Sequence, residues 1–210
     1  MGVEVFTCEQ GSPAWFECRL GIPTASKFAT VMAKPREEGG GVRRTYLLEL
    51  AGEILTGEAS DSYSNHHMER GKEFEPVARD LYAMRHDGEV DQVGFVRNGK
   101  MGCSPDGLIR AEGGAEIKTK LPHLLLDLML KGAFPPAHKA QVQGSLLVTG
   151  RDWWELAVYW PKLPLVVLRA TPERDYIANL KGELDRFNDE LAALVELARR
   201  YGITPKEAAA

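Results

Sequence analysis

Long apolar runs are missing from this sequence. None approaches the roughly 20 residues that a helix needs to cross a bilayer, so no membrane role is expected. The first residues (MGVEVFTCEQGSPAW) lack the basic start and apolar block of a secretion signal, and none is expected here. Cysteine is scarce. Cys8, Cys18 and Cys103 are odd in number and form no Cys-x-x-Cys pair. That argues against a disulfide framework and a zinc site, and it fits a cytoplasmic protein with free thiols. Excess basic charge is absent too: 26 Lys and Arg against 30 Asp and Glu give a net charge of -4. A chain coated in cations is excluded, but a local basic channel for nucleic acid can sit within an acidic exterior. No repeat or low-complexity linker appears.

What remains is an ordinary globular composition, 44% hydrophobic and 27% charged over 210 residues. This is enough to fold and to bury a sizeable core. Apolar spacing predicts helices over 26–32, with Thr24 as the cap, and over 43–55, stopped by Gly57. A longer helix is predicted over 65–85, kinked or split at Pro76. Short strands are predicted over 92–97, 102–104, 108–110 and 115–119, with Gly99 and Gly113-Gly114 as hairpin punctuation. A helix opening at Pro135-Pro136, strands over 154–160 and 165–169, and a long amphipathic helix over 171–200 follow. Residues 34–42 (KPREEGGGV) read as a mobile loop. The order implies an α/β fold, a mixed sheet with helices packed on it.

The stretch CSPDGLIRAEGGAEIK (103–118) holds the densest candidate chemistry. Glu116 and Lys118 are two apart on one strand and face the same way, while Ile117 faces the core. If the strand carrying Asp106 pairs with theirs, both carboxylates converge. Two hard anionic oxygens suit Mg²⁺ or Mn²⁺, and a lysine beside them can orient or help deprotonate an attacking water. A solvated hairpin with a surface Glu–Lys pair accounts for the same spacing.

Other residues carry similar two-sided readings. Glu75 lies in a charged helix, where a solvent-facing role is the plain one. Arg19 and Ser26, ahead of a helix start, form either a phosphate-binding set or a simple cap beside a surface arginine. Gln141 and Gln143, on an otherwise apolar helix, are structural or contact phosphate. The tryptophans read as core.

Several separate segments match one pattern in order: Trp15 to Ser26 (WFECRLGIPTAS), Glu69 to Tyr82 (ERGKEFEPVARDLY), Cys103 to Ile109 (CSPDGLI), Glu116 to Lys118 (EIK) and Ala140 to Thr149 (AQVQGSLLVT). Across about residues 10–170 the sequence resembles the phage-lambda-type exonucleases, the YqaJ-type viral recombinases of the PD-(D/E)xK nuclease superfamily. The resemblance implies a restriction-endonuclease-like fold: one nuclease domain over 1–210, with a C-terminal helix at about 171–201. It implies a Mg²⁺-dependent, processive 5′-to-3′ exonuclease on linear duplex DNA, with two ions per site, releasing mononucleotides and leaving 3′ single strands. It also implies a ring-shaped homotrimer, a single-strand annealing partner and a phage protein working in the bacterial cytoplasm.

Position by position, the resemblance makes Asp106, Glu116 and the Ile117 carbonyl metal ligands, with Glu75 at the second metal. Lys118 becomes the catalytic lysine and Gln141 the active-site glutamine. Arg19, Ser26 and Ser104 fall where the family binds the terminal 5′-phosphate, and Met68 where an apolar wedge parts the strands. Two departures stand out. His138 replaces a familiar tyrosine and is expected to contact substrate or titrate near neutrality. The proline after Lys118 comes late, at Pro122. A repair or restriction endonuclease on the same fold is the alternative reading; a non-catalytic DNA-end-binding protein ranks below it, because the acidic residues and Lys118 are all present.

Overall fold

The computed structural model describes residues 2–34, 41–60 and 66–201; the side chains of residues 66–72 lie outside that description. Most of the glycine-rich loop expected over 34–42, and the side chain of Met68, therefore fall outside the described residues.

The central hairpin pairs β5 (Gly107–Ile109) with β6 (Gly113–Thr119), antiparallel, with Gly107 opposite Ala115. From Gly113 opposite Trp153 to Thr119 opposite Tyr159, β6 runs parallel to β7 (Trp153–Tyr159). Parallel neighbours need a long crossover, which α5 (Pro122–Lys131) and α6 (Lys139–Thr149) supply. Antiparallel edge strands β2 (Val90–Asp91) and β8 (Val166–Ala170) complete the order β2-β5-β6-β7-β8. A smaller sheet, not anticipated from sequence, joins β1 (Val3–Phe6), β3 (Phe95–Asn98) and β4 (Met101–Cys103).

Helices cover both faces of the larger sheet. Ala115, Ile117, Ala157 and Tyr159 pack under Ala78 and Tyr82 of α4 (His66–Arg85). On the opposite face, Leu156 and Val158 meet Leu125 and Leu128 of α5. Trp154 joins a core built from α2 (Phe28–Val31), α3 (Val42–Thr56), α6 and α7 (Arg174–Arg200). The helical period is plain in α7, whose buried residues are Leu180, Leu184, Phe187, Leu191 and Val195. Each such burial contributes about 1.5–3 kcal/mol.

Several expectations need correcting. α4 runs through Pro76 as one helix. Thr24 caps a short 3₁₀ turn (Ala25–Lys27) without a side-chain cap bond; its hydroxyl lies 3.3 Å from Ser26 Oγ instead. The last helix starts at Arg174 rather than Thr171. Gly113 and Gly114 lie inside β6, and the chain reverses at residues 110–112, with Arg110 at φ 47°. The cause is packing: the rings of Trp153 and Trp154 occupy the space where Cβ atoms of these glycines would stand. The turn is tied down by Arg151, whose Nη1 donates to the carbonyls of Arg110 and Gly113, both at 2.7 Å. Among the described residues, no helix is long and apolar enough to cross a membrane.

Candidate active site

Asp106 directly precedes β5 and is pinned to β6 twice. Its N–H donates to the Ala115 carbonyl at 3.1 Å, and its Oδ2 accepts the Ile117 N–H at 2.6 Å. Strand alternation puts Glu116 and Lys118 together on the face opposite Ile117. Glu116 is 4% exposed, and its Oε1 lies 2.6 Å from Lys118 Nζ. The arrangement is charge-stressed. Burial, then the Glu116 charge, push the Asp106 carboxyl up to about 8; Glu75 adds to the rise, while Lys118 and the Ile117 N–H oppose it. Burial disfavours the Lys118 ammonium, yet Glu116 and Asp106 outweigh it and hold the lysine above its ordinary range.

Glu75 reaches this centre from α4, close enough for its charge to act on both Asp106 and Lys118, and forms an i,i+4 ion pair with Arg79. The charge of Lys118 also reaches His138, which ends a 3₁₀ turn, and Gln141 follows it in the first turn of α6. Burial pushes the His138 imidazole down to about 4, and the charges of Lys120 and Lys118 push the same way. This corrects the expectation that it titrates near neutrality: His138 is neutral there, with a buried Nε2 that has no hydrogen-bond partner.

Of the two roles open to Gln143, the structure shows the structural one. It is 2% exposed; its Nε2 donates to the Thr171 carbonyl at 2.9 Å and its Oε1 accepts the Glu173 N–H at 2.8 Å. Both ends of the amide hold the link into α7, and the buried side chain presents almost no surface to a substrate. Two residues apart on a helix, Gln141 and Gln143 point about 200° apart and cannot share one site.

A second cluster gathers Arg19 and Ser104 around Trp15, a residue the sequence reading left in the core. α1 (Pro13–Arg19) is capped by Ser12, whose Oγ accepts the Trp15 N–H. Trp15 Nε1 donates to Ser104 Oγ and to the Gly94 carbonyl, both at 3.0 Å. The Arg19 guanidinium lies 3.8 Å from the Trp15 ring centroid. Burial lowers the Arg19 pKa against the pull of Tyr46 and Glu53, and among the described residues Arg19 forms no ion pair. A half-desolvated guanidinium of this kind is suited to an anion. Ser26 is exposed, two residues beyond Thr24, which bridges to Gly102 on β4. β4 leads directly into Ser104, so all three residues border one region of the molecule.

The donors fit a hard divalent cation. Asp106, Glu116 and the Ile117 carbonyl offer oxygen, and the raised Asp106 pKa marks negative charge that a cation would relieve. Among the described residues, no three His, Cys, Asp or Glu side chains form a ready-made cluster.

The fold and these two clusters define a nuclease-like α/β architecture with an acidic centre on its central hairpin. Residues 14–152 match the model of the YqaJ-like viral recombinase domain, and the chain belongs to that family. It is similar to the alkaline exonuclease LHK-Exo of Laribacter hongkongensis, with 32% identity over 90% of this chain and 97% of that one, at a TM-score of 0.79. The same enzyme in complex with dAMP gives 33% identity and a TM-score of 0.80, with the same coverage. A phage-related exonuclease from Haemophilus somnus 129PT shares the fold, with a TM-score of 0.62 at 11% identity over 84% of this chain and 96% of that one. No curated protein is significantly similar. The restriction-endonuclease-like fold implied by the sequence motifs is the fold observed.

Proposed function

We propose that this protein is a deoxyribonuclease, a Mg²⁺-dependent exonuclease that removes 5′-mononucleotides from the 5′-phosphorylated strand of linear duplex DNA and leaves 3′ single strands. The observation that carries the reading is the Asp106–Ile117 contact at 2.6 Å, which ties the Asp106 carboxylate to the strand that bears Glu116 and Lys118. Membership of a viral recombinase family and similarity to the alkaline exonuclease LHK-Exo support it.

In this reading a divalent cation, Mg²⁺ or Mn²⁺, supplies an activated water and neutralises phosphate charge. Asp106, Glu116 and the Ile117 carbonyl would hold one such ion, and Glu75 would contribute toward a second. Lys118, as an ammonium, orients the attacking water and offsets charge growing on the phosphate. Gln141 and His138 border the substrate from the start of α6. Arg19, Ser26 and Ser104 receive the terminal phosphate, which sets polarity without base readout. The reading extends to Met68 as the strand wedge, a processive ring-shaped homotrimer around the duplex, a single-strand annealing protein as partner, and work in the bacterial host cytoplasm.

The test uses linear duplex labelled separately at its 5′ and 3′ ends, with Mg²⁺ or with EDTA. Early release of the 5′ label, and none in EDTA, is expected. Full activity in EDTA overturns the metal mechanism, and cutting of covalently closed circles points to an endonuclease instead.

A further inference from the structure

Among the described residues, the most heavily bonded acid lies outside the acidic centre. Glu155 on β7 is 3% exposed. Its Oε2 accepts from Tyr82 Oη at 2.6 Å and contacts His86 Nε2 at 2.9 Å; its Oε1 accepts from Arg169 Nε at 3.0 Å and Nη2 at 2.9 Å. Arg169 also lies 3.9 Å from the Trp153 ring centroid, and His86 stacks on the same ring. A buried carboxylate is costly unless its oxygens are satisfied, and here both oxygens are engaged.

The geometry of α4 links this network to the candidate site. Tyr82 is seven residues after Glu75, two turns along one helix face, and His86 follows four residues later, just past the helix end. Ala78 and Tyr82, both 0% exposed, press the same face onto the sheet. One end of the stripe presents Glu75 to Asp106 and Lys118, and the other is anchored on Glu155. Pro76, next to Glu75, removes a backbone donor from the helix. The turn bearing Glu75 thus takes less of its rigidity from the helix itself and more from docking on the sheet.

We propose that Glu155 is a positioning residue for Glu75: by holding Tyr82 and His86 against β7 it sets the register of α4 on the sheet, and so the distance of Glu75 from the Asp106–Glu116 pair. This rests on the nuclease reading of the site. Glu155 touches neither substrate nor ion; it acts through α4.

A double-mutant cycle on the full-length protein tests the idea, combining Glu155→Gln with Glu75→Gln. Glu155→Gln is expected to lower kcat about tenfold and to raise the Mg²⁺ concentration for half-maximal activity, with KM for DNA unchanged. In the Glu75→Gln background it is expected to change neither further. Amide hydrogen exchange without metal supplies the readout independent of activity: Glu155→Gln should speed exchange along α4 about tenfold and leave β6 unchanged. If Glu155→Gln does not fold, Tyr82→Phe removes one donor with the packing kept and should show the same non-additivity at smaller size. Additive losses in the cycle, or unaltered α4 exchange, overturn the proposal. A wild-type chain without nuclease activity overturns the nuclease reading instead, while the exchange measurement still reports on the anchor.

Discussion

Trp15 Nε1 donates to Ser104 Oγ at 3.0 Å while the Arg19 guanidinium stacks on the same indole. One ring therefore sets the spacing between a hydroxyl and a cation that come from distant parts of the chain. If these groups hold a terminal phosphate, Arg19→Ala should cut the preference for 5′-phosphorylated over 5′-hydroxyl ends by roughly tenfold to a hundredfold, the worth of a charged hydrogen bond. Trp15→Phe, which keeps an aromatic face but loses the donor, should lose part of that preference. The ratio of kcat/KM on the two substrates is the measurement, and an unchanged ratio removes the pocket.

The raised Asp106 pKa has a definite sign for stability. The ordinary value is 3.8 and the folded value about 8, so between them the folded chain holds a proton that the unfolded chain has released. Stability in EDTA should therefore fall as pH rises through that window. Asp106→Asn should melt higher than the wild type at pH about 9 in EDTA. Mg²⁺ should raise the wild-type Tm and leave that of Asp106→Asn nearly unchanged. Calorimetric scans across pH decide the matter.

Among the described residues, Lys118 is the one cation in direct contact with Glu116. Lys118→Met should slow single-turnover cleavage about 100-fold or more, the cost of losing a charged donor at the reacting phosphate, while far-UV circular dichroism stays native. A variant that still cuts at the wild-type rate assigns the lysine to structure alone.

Gly114 tests the packing of the central strand. Gly114→Ala drives a methyl into the Trp154 ring, and overpacking of this kind costs about 1–3 kcal/mol. Gly52→Ala, in α3 with nothing within 4 Å of the added carbon, should gain about 0.5–1 kcal/mol from helix propensity. Urea unfolding of both variants gives the comparison.

Gln143 separates structure from catalysis on α6. Gln143→Leu strands the Thr171 carbonyl and the Glu173 N–H, which should cost about 1–3 kcal/mol and leave KM for DNA unaltered. A large KM change at native stability would return Gln143 to the substrate.

The parts of the fold that could be read in advance are those with a clean period or an unbroken motif. The apolar stripe of α7 announces itself, and so does the strand alternation that places Glu116 and Lys118 opposite Ile117. α5 escaped because its leucines lie on all sides: Leu125 and Leu128 are buried, whereas Leu124, Leu126 and Leu130 are exposed. The exposed leucines blur the face that Leu125 and Leu128 bury. The glycine pair looked like a turn because a local reading cannot see the indoles that arrive from β7. Trp15 was missed although a signal existed: it is four residues before Arg19 behind a Ser12-Pro13 helix start, a spacing at which side chains on one helix meet. Glu155, a lone acid in the apolar strand WELAVYW, gave no hint of its partners, which are brought to it from α4 and β8.

The two indoles over Gly113 and Gly114 also bear on the order in which the molecule assembles. The first two residues of β6 own no side chains and take their packing from Trp153 and Trp154. A hairpin that looks local on paper thus depends on residues that enter only after the whole α5–α6 crossover has been threaded. The packing of that hairpin is complete only once β7 docks. Such non-local closure is slow by nature, and φ-values near zero at Ile117, set against high values in the helices, are the kinetic signature to expect.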